Sequence, residues 1–85
     1  MHINSIRRKI DKIDRKIVSL IGDRFRLIGE VGEIKKKNGL KVLDKKREIF
    51  IMESVLGGAK RIGLNENMLK KIYKIILTES RNSQS

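Results

Sequence analysis

The sequence predicts an all-α protein made of one long helix followed by two shorter ones. Its 85 residues contain no proline, so no residue type forces a break within the long amphipathic stretches. In each stretch apolar residues recur at steps of three and four, as expected for a helix with one buried face. Asparagine, aspartate and glycine separate the stretches, and the expected helices cover about residues 4–38, 45–61 and 66–82.

The first helix carries a heptad-like row of apolar residues, here called the α1 seam. Its members are Ile3, Ile6, Ile10, Ile13, Ile17, Leu20, Leu27, Val31 and Ile34, with one gap at Arg24. A helix of about 50 Å cannot bury such a row against the remaining fifty or so residues, so we expect the chain to oligomerise. Asn4 is the predicted N-cap, and Gly39 is predicted to end the helix in the left-handed conformation.

Three basic residues of the first helix lie at the edge of, or inside, its apolar face. Arg24 and Lys35 are about 16 Å apart along the axis and almost in line, so their long side chains can lean together and hold a small anion. Arg7 is about 25 Å further away and can join that site only from another subunit. The simpler interpretation of Lys35 is a cation that stabilises the helix C-terminus.

Polar residues also cluster at the start of the second helix and the end of the third. Asp44 is the predicted N-cap of the second helix and shares one face with Arg47 and Glu48. Taken alone, this group is as expected for a cap with a surface ion pair. On the third helix, which Asn65 is predicted to cap, a four-residue step puts Ser80 and Gln84 on one face. The pair Gly57-Gly58 is a predicted weak point in the second helix.

Composition excludes several kinds of chemistry. There is no cysteine and one histidine, which excludes a disulfide framework, a structural zinc site and Cys/His nucleophilic catalysis. The formal net charge of +11 favours anionic partners. No apolar run approaches the ~20 residues of a membrane span and no signal-peptide pattern occurs, so we expect a cytoplasmic protein with no membrane partner.

A basic helix-turn-helix DNA-binding module is one interpretation. Ala59, Gly63 and Leu69 have the spacing of that motif, and a recognition helix would then carry Lys70, Lys71 and Lys74. Matches at three positions are common by chance, and this interpretation gives Arg24 and Lys35 no role.

The other interpretation rests on a resemblance to the all-helical, class II chorismate mutases. The segment from Ile6 to Asp14 looks like the opening of that family, and Asp23-Arg24, Glu30 to Lys35, Asp44 to Glu48 and Ile76 to Ser80 are similar to its later motifs. Eight positions match its active-site set, namely Arg7, Arg24, Lys35, Asp44, Arg47, Glu48, Ser80 and Gln84.

The resemblance implies a single chorismate mutase domain over residues 1–85 and an intertwined homodimer with antiparallel long helices. It implies the Claisen rearrangement of chorismate to prephenate, in phenylalanine and tyrosine biosynthesis, with no cofactor and no metal. An isochorismate-pyruvate lyase on the same fold is the related alternative. Under either assignment no specific nucleic-acid partner is expected.

The resemblance also assigns roles to the matched residues. Arg7 of the partner, Arg24 and Lys35 are expected to hold the two carboxylates of chorismate, with Ser80 bonding one of them. Lys35 and Gln84 are expected to stabilise negative charge on the ether oxygen. Glu48, assisted by Asp44, is expected to accept a hydrogen bond from the ring hydroxyl, and Arg47 to orient Glu48 or add positive potential.

Overall fold

The computed structural model describes residues 2–84, which form three α-helices and no strand. They are α1 (Ile3–Lys37), α2 (Lys45–Ile62) and α3 (Glu66–Gln84). The all-α, three-helix class is therefore confirmed, and each helix begins and ends within two residues of the expected position. In the described part of the chain, no helix has the length and apolar character needed to cross a membrane.

The third helix is the central packing element, because α3 packs against both α1 and α2. The molecule is elongated, with extents of 57 × 24 × 16 Å and a radius of gyration of 16.1 Å. A compact domain of this length has a radius of gyration of about 12 Å. The only apolar side chains buried among the described residues are Ala59 and Leu77, at 2% and 7% exposure, so one chain has a very small core.

The α1 seam is exposed along its whole length. All nine of its apolar side chains are solvent-accessible, from 41% for Val31 to 66% for Leu20. Each Å² of apolar area removed from water stabilises the buried state by about 25 cal/mol. Contiguous exposed apolar patches of this kind mark interaction surfaces. This exposure supports the expectation that another chain covers α1.

Most predicted helix caps are present, but the predicted cap at Asn4 is wrong. The carbonyl of His2 accepts hydrogen bonds from the backbone N–H groups of Ser5 and Ile6, at 3.0 and 3.4 Å, so the helix has already begun before Asn4. The Asp44 side chain accepts from the Arg47 N–H at 3.0 Å, as predicted. The Asn65 side chain likewise accepts from the Met68 N–H at 2.9 Å.

Glycine plays two different roles at the helix ends and in α2. Gly39 and Gly63 follow α1 and α2 with φ of +64° and +72°, the left-handed conformation that favours glycine at a helix end. Gly57 and Gly58, by contrast, lie inside α2, which stays helical to Ile62. The expected weak point thus produces no break, because the next residue, Ala59, is buried in the core and anchors this turn.

Candidate active site

One cavity, here called the pocket, gathers nearly all of the residues singled out in the sequence. It has a volume of about 290 Å³ and is lined by residues of all three helices and by Val42 from the α1–α2 connection. Small-molecule sites start at about 300 Å³, so the pocket suits a small ligand. Seven of the eight candidate residues line it: Arg24, Lys35, Asp44, Arg47, Glu48, Ser80 and Gln84.

Arg24 is held at the pocket by α3. Its Nη1 donates a 2.6 Å hydrogen bond to the hydroxyl oxygen of Ser80, a residue only 4% exposed. The Ser80 hydroxyl in turn donates to the carbonyl of Ile76 at 2.6 Å. Because its single proton is used there, Ser80 acts as an acceptor that fixes the guanidinium of Arg24.

Lys35 is held one helical turn further along α3. Its Nζ donates to the side-chain oxygen of Gln84 at 2.7 Å and to the carbonyl of Val42 at 2.8 Å. An ammonium group has three donors, so one remains for a ligand. The amide nitrogen of Gln84 donates to the Ser80 carbonyl at 3.1 Å. This bond uses one of the two N–H groups of the amide, so the other remains for a ligand.

The two cations converge on α3, as the sequence spacing suggested. Arg24 and Lys35 start about 16 Å apart along α1, whereas their partners Ser80 and Gln84 are about 6 Å apart along α3. Both cations line the pocket between these helices. This geometry supports the interpretation that Arg24 and Lys35 bind one anion together.

Gly32 allows the C-terminal end of α3 to lie directly against α1. A Cβ atom at position 32 would lie 3.0 Å from the Cα of Gln84 and 3.3 Å from its Cβ and Cγ. The residue is buried, and a side chain here would have tighter contacts than most Cβ atoms make, so α3 would have to shift by a few tenths of an ångström. The absence of a side chain at position 32 therefore allows Gln84 to lie within hydrogen-bond distance of Lys35.

Replacing Gly32 by alanine is expected to lower kcat/KM by up to about tenfold, because the new Cβ displaces Gln84 by a few tenths of an ångström, and a misplacement of 1 Å can cost ~10² in rate. The matched control is Gly57→Ala, where a new Cβ meets nothing within 4 Å. Alanine favours a helix by up to ~1 kcal/mol over glycine, so the control should be slightly more stable and fully active. Enzymatic turnover and thermal melting measure the two effects, and equal activity of both variants would show that the close approach is unimportant.

Glu48 is held by a residue that the sequence analysis missed. Nη1 of Arg81 donates to both carboxylate oxygens of Glu48, at 2.7 and 2.8 Å. Arg47, which was expected to orient Glu48 or to add positive potential, lies with its guanidinium 5.3 Å from the centre of the Phe50 ring. Position 81 is four residues after Leu77 and three before Gln84, so helical spacing on α3 was the available signal.

The pocket has an excess of positive charge. Four cations line it, namely Arg24, Lys35, Arg47 and Arg81, against the two carboxylates of Asp44 and Glu48. Within residues 2–84, no cluster of three or more histidine, cysteine, aspartate or glutamate side chains is arranged to hold a metal ion. The six charged lining residues therefore have a net formal charge of +2 (four cations minus two carboxylates), which suits an anionic ligand held by charge-assisted hydrogen bonds.

Arg7 is the one candidate residue that lies away from the pocket. It is exposed on α1 and does not line the cavity. Seventeen residues separate it from Arg24, which is about 25 Å of helix. Within a single chain, Arg7 cannot reach a ligand held by Arg24 and Lys35.

The fold and the site together define a small all-helical protein with a cationic pocket, and sequence comparison identifies its family. Residues 6–85 match the family described as chorismate mutase type II. The chain belongs to this family, and its function is that of a chorismate mutase, an isomerase. The match favours neither the isochorismate-pyruvate lyase nor the DNA-binding alternative.

Individual relatives agree with this assignment. The chorismate mutase of Methanocaldococcus jannaschii is 37% identical over 79 residues, which cover 93% of this chain and 80% of that protein. The bifunctional chorismate mutase/prephenate dehydratase of Buchnera aphidicola is 33% identical over 89% of this chain, but the match spans only 20% of the relative. A solved structure of a conserved hypothetical protein from Pyrococcus furiosus has a TM-score of 0.74 and 34% identity, covering 98% of this chain and 95% of that one.

Proposed function

We propose that the chain works as a cytoplasmic, intertwined homodimer whose antiparallel α1 helices complete each other's pockets. The exposed α1 seam supports this arrangement, since one chain leaves all nine side chains accessible. Antiparallel pairing also brings Arg7 of the partner subunit, about 25 Å from the pocket in its own chain, next to the opposite pocket. Each pocket then gains a fifth cation.

The proposed reaction is the Claisen rearrangement of chorismate to prephenate, which is mainly a positioning task. Chorismate is a dianion, and it reacts when its enolpyruvyl arm is held over the ring. The convergence of Arg24 and Lys35 on one cavity is the observation that carries the proposal. Arg24 and the partner subunit's Arg7 bind the two carboxylates through hydrogen bonds, and Ser80 keeps Arg24 in place. Lys35 attracts the carboxylates through its charge, since only one of its N–H groups is left for the ligand.

Catalysis then depends on donors aimed at the ether oxygen. Breaking the C–O bond leaves negative charge on this atom, so donors placed there stabilise the transition state more than the substrate. The third N–H of Lys35 and the second N–H of Gln84 are the donors that we assign to this atom, because the other polar groups of these two side chains are bonded within the protein. Both side chains are therefore aimed before the substrate arrives.

The opposite wall of the pocket recognises the ring hydroxyl. Glu48 accepts its hydrogen bond, with Asp44 at the start of α2 assisting. Asp44 also caps α2 through the Arg47 N–H, which ties the acceptor pair to a rigid helix end. Arg47 lines the same wall and adds positive potential there. Its guanidinium lies over the Phe50 ring.

The pH dependence of turnover tests the proposed role of Gln84. An amide donates without being protonated, so chorismate consumption by the wild-type protein should not rise steeply below about pH 6. In Gln84→Glu the new carboxyl group donates only when protonated, and free glutamate has a pKa of about 4.3. The rate of this variant should therefore increase as the pH falls.

Absorbance loss of chorismate across this pH range measures both profiles, with Ser83→Glu as the control for a new carboxylate at an exposed neighbouring position. A flat profile for Gln84→Glu would exclude Gln84 as the donor to the ether oxygen. No turnover by the wild-type protein at any pH would overturn the proposed function itself.

A further inference from the structure

Arg81 is the one cation of the pocket to which the proposed function gives no role. It lies on α3 immediately after Ser80, and its side chain is 36% exposed. Its Nη1 bonds both oxygens of Glu48, whose side chain is 23% exposed. The ion pair joins α3 to the first turn of α2, and both partners line the pocket.

We propose that Arg81 is a positioning residue: it holds the Glu48 carboxylate in place to accept the ring hydroxyl, and thereby selects ligands that carry this hydroxyl. The inference rests on the proposed role of Glu48. It concerns how that glutamate is kept ready, since Arg81 need not touch the substrate.

The hydrogen-bond capacity of the pair allows this role. An ionised carboxylate has about four acceptor positions, two on each oxygen. Arg81 occupies one position on each oxygen, which leaves acceptor capacity for a ligand. Glutamate has considerable rotamer freedom in solution, and fixing it before binding lowers the entropy cost of recognition.

Charge gives a second reason for the pair. A bare carboxylate in the pocket would repel a dianionic ligand, whereas a neighbouring guanidinium largely cancels that repulsion. The other three cations have different partners or directions. Arg24 bonds Ser80, Lys35 bonds Gln84 and Val42, and Arg47 faces Phe50.

Four variants test the proposal by steady-state kinetics with chorismate: Arg81→Met, Arg81→Lys, Glu48→Gln and the double variant Arg81→Met/Glu48→Gln. Arg81→Met should lower kcat/KM by about 10- to 100-fold, the range expected when a pocket group is misplaced. Arg81→Lys keeps a donor and a charge and should recover most of the loss. In the Glu48→Gln background, Arg81→Met should add less than about a threefold effect, because residues that act as a unit are not additive.

The matched control is Arg26→Met, which removes an exposed ion pair between Arg26 and Glu30, 3.7 Å apart on α1 and outside the pocket. This variant should keep full activity. Thermal melting and gel filtration of every variant identify changes that come from folding or assembly. A loss in Arg81→Met that is equally large in both Glu48 backgrounds would overturn the proposal, because Arg81 would then act independently of Glu48.

A ligand without the ring hydroxyl separates an indirect role from a direct one. Arg81→Met should weaken binding of chorismate, but it should leave binding of a deoxy analogue, which has both carboxylates and no hydroxyl, nearly unchanged. Equal weakening of both ligands would mean that Arg81 binds a carboxylate directly, contrary to the proposal. If Glu48→Gln is itself fully active, the assigned role of Glu48 fails as well. If Glu48→Gln is impaired and Arg81→Met is not, only the Arg81 proposal fails.

Discussion

Replacing Lys35 by alanine is expected to cause the largest loss of activity of any single substitution in α1. Removing one donor from a site of developing negative charge typically costs about 10²–10³ in kcat. Here the substitution also removes a cation that binds the substrate and the bond that holds the side chain of Gln84. The combined fall in kcat/KM should therefore reach at least the upper end of that range.

Lys37→Ala is the matched control, because it removes the same charge from the same last turn of α1 at an exposed position. It should keep full activity and a similar melting temperature. The two variants are compared by the absorbance loss of chorismate at low and at saturating concentration. An effect confined to KM would mean that Lys35 binds the ground state and does not stabilise the transition state.

The helices follow from sequence periodicity, which also places some site residues on shared faces, whereas the resemblance to a known family selected the full set of site residues. Residues at three- and four-residue steps share a helix face whatever the tertiary packing, so Ser80 and Gln84 were expected on one face, and both line the pocket. The caps at Asp44 and Asn65 are equally local, since each needs only a side chain and an N–H three residues away. Such features depend on helix geometry alone.

Contacts between helices could not be derived in the same way. The approach of Gln84 to Gly32 depends on how α3 crosses α1, which the periodicity of the two helices does not specify. The Arg81–Glu48 pair likewise depends on the crossing of α2 and α3. Helical spacing places Arg81 near the face of Leu77 and Gln84, but in a chain with 21 lysine and arginine residues it does not show which of them pairs with a carboxylate of another helix.

Arg7→Ala is expected to lower kcat/KM by about 10²-fold, although Arg7 does not line the pocket of its own chain. The loss arises because the proposed dimer delivers this cation to the opposite site, where it positions a substrate carboxylate. Mixing Arg7→Ala chains with Lys35→Ala chains should restore activity. Each mixed dimer then has one site that combines an intact Lys35 from one chain with an intact Arg7 from the other.

The amount of activity that returns on mixing distinguishes a site shared between two subunits from a nonspecific gain of activity. Random pairing makes half of the dimers mixed, and each mixed dimer has one intact site out of two. About a quarter of all sites in the mixture should therefore be intact. The control mixes Arg24→Ala with Lys35→Ala chains: these residues serve the same pocket from the same helix, so no combination produces an intact site and activity should stay low. Differently tagged chains and size-exclusion chromatography establish that mixed dimers have formed. If they form and the Arg7→Ala mixture remains as inactive as this control, Arg7 does not act across the dimer.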